Sequence, residues 1–211
     1  MNIPAEFDEI RPYAPEELPQ VYEELIADPM FQAVVAQVMP GIPFEMLAAQ
    51  MRQCKTNLDF QKAFFYKLLK ELVKKCAKGI EFDCSGLEDK SLNYTFISNH
   101  RDIILDAAFL DVLLVDEGMN TVEIAIGDNL LIYPWIKKLV RINKSFIVKR
   151  GLSLREQLQS SILMSKYMHF AITEKHENIW IAQRQGRAKD SNDLTQDSIL
   201  KMMTMAGEGD I

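Results

Sequence analysis

A histidine followed by two carboxylates is the part of this sequence best equipped for chemistry. His100 stands in the run Tyr94-Thr95-Phe96-Ile97-Ser98-Asn99-His100-Arg101-Asp102-Ile103-Ile104-Leu105-Asp106. A neutral imidazole takes a proton from an alcohol near neutral pH when its other nitrogen is held. A carboxylate bonded to that nitrogen fixes the tautomer and stabilises the imidazolium that forms. Either Asp102 or Asp106 could serve. On residue types alone, a surface histidine at a strand-to-helix junction gives the same string. His169 and His176 have no such carboxylate pattern and are assigned structural roles.

Two further stretches pair an apolar run with a polar turn. The first comprises Glu123 to Leu130, ending in Gly127-Asp128-Asn129, and then Phe146-Ile147-Val148-Lys149-Arg150-Gly151. Between Pro134 and Arg155 the chain carries Lys137, Lys138, Arg141, Lys144, Lys149, Arg150 and Arg155 and no acid. Guanidinium and ammonium groups at a strand end grip phosphate through charge-assisted hydrogen bonds. A solvated helix face is the competing reading, and Lys137 and Lys138 fit it. The second stretch is Trp180-Ile181-Ala182-Gln183-Arg184-Gln185-Gly186-Arg187-Ala188-Lys189. There Gly186 allows close backbone approach and Arg187 supplies a phosphate-binding fork.

The elements that must position these groups are legible as patterns. Up to about Lys78 the chain reads as helical, with Pro29, Pro40 and Pro43 dividing it. Pro15-Glu16-Glu17-Leu18 marks one helix start. Asn57 is expected to cap a helix over Leu58 to Ala77, closed by Gly79, with Phe60, Phe64, Leu68, Leu72 and Cys76 as its apolar stripe. From Ile80 short apolar runs at 94–98, 121–126, 145–148 and 178–182 alternate with helical patterns at 105–115, 133–140, 154–166 and 195–205. That alternation predicts an α/β fold with a mostly parallel sheet flanked by helices. The expected division is a helical region over residues 1–79 and an α/β domain over 80–211. Active sites in such sheets lie where strands end.

Composition removes several classes of function. Of 211 residues 48% are hydrophobic, enough for a real core, and the formal net charge of −6 argues against a nucleic-acid partner bound by overall charge. Cys54, Cys76 and Cys84 form no CxxC pair, which points to a reducing, cytoplasmic setting without a disulfide framework or structural zinc. No apolar run reaches the roughly 20 residues of a spanning helix. Any membrane contact is therefore expected only at the surface; the basic stretch beside Trp135, Ile136, Leu139 and Val140 could supply it, but packing of that apolar side onto the sheet is the favoured reading.

Taken together and in order, the three stretches resemble the motifs of the glycerol-3-phosphate and 1-acylglycerol-3-phosphate acyltransferases. Asn99-His100 is similar to the start of the first motif, Asn-His-x-x-x-x-Asp, although Asp106 lies one residue too far and Asp102 too near. The apolar residue that often precedes the family's Asp is matched by Leu105 and favours Asp106, with Asp102 as the rival. Gly127-Asp128-Asn129-Leu130 with Phe146 to Arg150 resembles the second motif. Gln185-Gly186-Arg187 resembles the third, Glu-Gly-x-Arg, with a glutamine in place of the acid and one residue fewer before the arginine. The resemblance covers Tyr94 onward. It implies a glycerol-3-phosphate acyltransferase-like fold and transfer of a fatty acyl group to a glycerol-phosphate or lysophospholipid hydroxyl in phospholipid synthesis. The donor would be acyl-CoA or an acyl-carrier-protein thioester, with no further cofactor and no metal. It also implies His100 as general base and Asn99, Gly127, Asn129, Lys149, Arg150, Gln185, Gly186 and Arg187 as substrate-binding residues, at the inner membrane face if membrane contact is made. A fourth motif, a later strand with Val-Pro or Ile-Pro, has no counterpart before Ile211. The expectation is therefore of a partial sheet with an exposed edge or helix face, and of weak turnover by this chain. Two rival readings use the same residues. One is a non-catalytic lipid- or phosphate-binding relic, and the other is an acyl-thioester hydrolase in which His100 activates water.

Overall fold

The computed structural model describes residues 2–190 and 193–207. Strands β1 (Thr95–Ser98), β2 (Val122–Gly127), β3 (Ser145–Val148) and β4 (Asn178–Ala182) form one parallel sheet in the order β1-β4-β2-β3. Parallel neighbours need a crossover, and helices supply each one. These are α6 (Leu105–Asp116) from β1 to β2, α7 (Pro134–Ile142) from β2 to β3, and α8 (Leu154–Thr173) from β3 to β4. A last helix, α9 (Asp197–Thr204), packs on α8. Pairing sets Ser98 beside Ala182 and Gly127 beside Val148, so the strands end at one level. The four turns that follow them form a common rim.

The N-terminal third contributes α1 (Leu18–Ile26), α2 (Pro29–Val38), α3 (Phe44–Gln53) and a helix over 57–76. This last helix comprises α4 (Asn57–Phe60), a π-helical stretch (Gln61–Tyr66) and α5 (Lys67–Cys76). Its cap differs from expectation. Thr56 and Asp59 form the capping box, while the Asn57 side chain donates to Ile142 O at 2.8 Å and ties this helix to the end of α7. Its apolar stripe differs too. Phe60 and Leu69 are buried, but Leu68 and Cys76 are exposed. A π turn takes about five residues rather than four, so it advances the buried face by one position. Ala77, in extended conformation, ends the helix, and Gly79 has no part in closing it.

The helical third and the sheet share cores. Leu18, Tyr22, Phe31 and Phe60 pack with Ile142 of α7, and Phe7 and Ile10 enter the cluster built from β3, β4 and α8. Ile147 N donates to Ile10 O at 2.8 Å, so the chain near Ile10 covers the open edge of β3 and removes a free pairing surface. Arg141, expected in a basic patch, is buried beneath this segment. Its Nε donates to Arg11 O and its Nη2 to Asp8 O, both at 2.7 Å, and its guanidinium lies 4.1 Å from the centre of the Tyr13 ring. Arg141→Ala removes charge-assisted bonds to buried carbonyls, so a loss of about 3 kcal/mol in denaturant-unfolding stability is expected, with earlier proteolysis before Tyr13. An unchanged midpoint would mean that Phe7 and Ile10 hold the segment without it.

Trp135, Ile136, Leu139 and Val140 face inward, against the sheet and the long N-terminal helix. The apolar side of this helix is thus used for packing, in line with the favoured reading of the sequence. On the other side of the sheet, α8 leaves Leu154, Leu158 and Ile162 exposed at four-residue spacing. No helix among the described residues is long and apolar enough to cross a membrane.

Candidate active site

His100 lies two residues beyond β1, and its ring meets the edge of Trp180 on β4 with centroids 5.6 Å apart. Its Nδ1 is 2.8 Å from Asp106 Oδ2. The same oxygen accepts from Arg101 N at 2.7 Å and Asp102 N at 3.0 Å. An oxygen receiving two backbone N–H groups acts as an acceptor, so the imidazole directs its Nδ1 proton to it and leaves Nε2 unprotonated. The turn wraps around the Asp106 carboxylate through these two N–H groups, which absorbs the one extra residue noted in the sequence. Asp102 has a different task. Its Oδ1 accepts from Ile104 N and Leu105 N, both at 2.9 Å, and so it caps the start of α6. Those backbone bonds, and to a lesser extent Arg187 and His100, hold its carboxyl below the usual range.

The turn after β4 is stitched to the His100 loop, since Ala188 N donates to His100 O at 2.7 Å. Gly186 has φ +78°, a left-handed conformation that glycine adopts without strain. The turn carries the exposed Arg187 guanidinium to within electrostatic reach of Asp102. Among the described residues Arg187 makes no ion pair, and its charge remains available at the rim. Among the described residues, no side-chain hydrogen bond from Gln185 orients it. Instead its backbone N–H donates to Gln196 Oε1 at 2.7 Å.

Arg150 belongs to another part of the rim. A Cβ at Gly127 would lie 2.5 Å from Asn129 Oδ1 and 3.3 Å from Arg150 Nε, so only glycine lets these two side chains close over the end of β2. Asp128 accepts from Arg150 N at 3.0 Å. Arg150, Gln185 and Arg184 line a cavity of about 140 Å³ on the α8 side of the sheet. Arg184 is a basic rim residue that the sequence reading passed over. Only its neighbour Arg187 follows a glycine, and nothing local indicates that Arg184 faces Arg150. Lys149 is engaged with Glu9 at 2.7 Å, and Lys144 is buried against Thr121 and Glu177. Neither presents a free charge to the His100 loop. Asn99 is exposed beside His100, and Ser98 Oγ donates to its carbonyl.

His100 and Arg150 thus follow opposite edge strands, three inter-strand spacings or roughly 14 Å apart, and no contact among the described residues joins them. The groups gathered around His100 are Asp106, Asp102 and Arg187. Beside them opens a cavity of about 400 Å³ on the α6 and α7 side of the sheet. Its rim end is lined by Ile103 and Ile104, just after His100, and by Leu130, just after Asn129. Ala107, Val112, Ile124, Ile126, Trp135 and Leu139 form an apolar wall leading down between helices and sheet, and Phe65 and Leu69 close it from the N-terminal helix.

No family model matches the chain, and no curated protein matches it.

Proposed function

We propose that this protein is an O-acyltransferase that moves a fatty acyl group from a thioester to a hydroxyl of a glycerol-phosphate-type acceptor. The observation that carries the reading is the His100–Asp106 pair on a loop whose next residues, Ile103 and Ile104, line the rim end of an apolar cavity of about 400 Å³. An acyl chain is long, apolar and reactive at one end, and such a cavity with a base at its opening has matching chemistry. Each methylene that enters contributes about 0.8 kcal/mol. His100 Nε2 takes the proton of the acceptor hydroxyl, and the oxygen attacks the thioester carbonyl. The tetrahedral adduct then collapses with cleavage of the C–S bond, and the leaving thiolate takes the proton from the imidazolium. Asp106 stabilises that imidazolium through Nδ1.

The acceptor phosphate is assigned to Arg187, which stands within electrostatic reach of Asp102 on the turn tied to the His100 loop and makes no ion pair among the described residues. The resemblance implies both Arg150 and Arg187 in substrate binding, and this reading gives the greater weight to Arg187. Charge-assisted hydrogen bonds contribute about 1.5–3 kcal/mol. Arg187→Ala should therefore raise KM for glycerol 3-phosphate about 10- to 100-fold with little change in kcat, and Arg150→Ala should raise it less. Steady-state kinetics on both variants checks this order, and a larger effect at Arg150 would return the phosphate site to the α8 side.

The test of the activity itself is acyl-CoA consumption with and without glycerol 3-phosphate, with products separated by chromatography. Acylglycerol phosphate appearing only with acceptor supports transfer. Free fatty acid formed at the same rate in both arms makes the protein a hydrolase, and no turnover in either arm removes the enzyme reading.

A further inference from the structure

The wall of the large cavity is apolar, but its foot is not. Where β2 and β3 begin, Asp111, Gln61, Thr121 and Asn143 line it. Most of this polarity is internally matched. Thr121 Oγ1 donates to Gln61 Oε1 at 2.7 Å, Lys144 Nζ donates to Thr121 Oγ1 at 3.1 Å and to Glu177 at 2.7 Å, and Gln61 Nε2 donates to Asp111 Oδ2 at 3.3 Å.

Two capacities are left over. Asn143 Oδ1 is buried and accepts no hydrogen bond from any described residue. Asp111 accepts from Val122 N at 2.8 Å on one oxygen and from Gln61 on the other, so a proton on this carboxyl has no protein acceptor. Burial pushes Asp111 up to about 7, so the protonated form is well populated near neutrality. A chain ending in a methyl group would leave both unmet, and buried polar groups without partners are costly. A hydroxyl both donates and accepts, which is the combination this foot lacks.

We propose that the cavity selects acyl chains bearing a hydroxyl at or near the end remote from the thioester, the methylenes lying along the apolar wall and the hydroxyl reaching Asn143 and Asp111. This deepens the acyltransferase reading and rests on its assignment of the cavity to the acyl chain. From Thr121 at the foot to Ile126 near the rim, β2 spans about 17 Å, so the recognised hydroxyl lies far along a medium or long chain.

The experiment is calorimetric titration of the purified full chain with dodecanoate and ω-hydroxydodecanoate, repeated with the tetradecanoate and hexadecanoate pairs. In a purely apolar cavity the hydroxyl weakens binding because it must be desolvated. Here the sign reverses, and the hydroxylated member of the best-fitting pair should bind about tenfold more tightly. The Asn143 side chain makes no hydrogen bond with any described residue, so Asn143→Ala should fold normally. It should lose most of that preference while binding the plain acid at least as tightly as the parent does, since the cost of leaving Asn143 unmet is gone. Tighter binding of the plain acid at every length would overturn the proposal and leave the acyl cavity standing. A hydroxyl preference that survives Asn143→Ala would also overturn it. Absence of binding by every acid would remove the cavity's role and the function built on it together.

Discussion

Replacing His100 by alanine is expected to lower acyl transfer by about 10³-fold or more, with unfolding stability kept within about 1 kcal/mol of the parent. The catalytic loss follows from removing the only imidazole on the loop that lines the cavity's rim end. The other two histidines are elsewhere. His169 lies on α8 with its Nε2 against Met203 O, and His176 sits in the turn before β4 with φ +56°. The fold should survive because the Asp106 carboxylate keeps two of its donors, Arg101 N and Asp102 N, and the turn does not depend on the ring. Asp106→Asn separates orientation from proton transfer. The amide retains the shape, but its carbonyl is a poorer partner for an imidazolium, and a loss of about 10²-fold is expected. Asp102→Asn keeps an acceptor for Ile104 N and Leu105 N and should cost far less. Rates measured on the three variants beside their thermal unfolding curves decide the matter. If His100→Ala retains the parental rate with an intact fold, proton transfer does not pass through this ring and the proposed mechanism fails.

The second large effect concerns stability and Asp111. This carboxyl is buried, and the loss of solvation on folding, opposed by the Val122 N–H and Lys144 and assisted by Glu177, raises it from an ordinary 3.8 to about 7. A raised acid favours the folded state while it is protonated in both states, below about pH 4. That contribution is lost as pH climbs through about 4 to 7 and stays lost above. The swing is on the order of 4 kcal/mol. Asp111→Asn does not titrate. It can still accept from Val122 N, and the Gln61 amide can reverse against Thr121, whose hydroxyl both donates and accepts. Relative to the parent, the variant should therefore gain stability between about pH 5 and pH 8, by several kcal/mol in the denaturant midpoint analysis. A parent-to-variant difference that is the same at both pH values would mean that Asp111 is ionised in the folded protein throughout the range. The polar foot of the cavity would then lack its donor.

Period and punctuation in the sequence determined much of the architecture. Alternating strand and helix patterns after Ile80 correspond to the parallel sheet and its crossover helices, and β3 and β4 have the limits that their apolar runs suggest. Such patterns are local, since each arises from the facing of a few neighbouring side chains. The Asn99-His100 ending was legible for the same reason, being a strand end followed by a helix start. The partner of the ring was not, because Asp102 and Asp106 differ by a single turn of backbone. Only the folded loop shows one carboxylate capping α6 and the other receiving the imidazole. Charge was the least informative signal. Arg141, Lys144 and Lys149 look alike in a list of basic residues, yet they bind carbonyls or carboxylates of distant segments. Strand order was also beyond local reading. Inserting β4 between β1 and β2 brings Arg187 to His100 and sends Arg150 to the far edge. That separation depends on which strands pair, a choice made by packing over the whole sheet. The cavity arises in the same way, from α6, α7 and a helix shifted in phase by one π turn, each contributing apolar residues that sequence alone assigns only to a core.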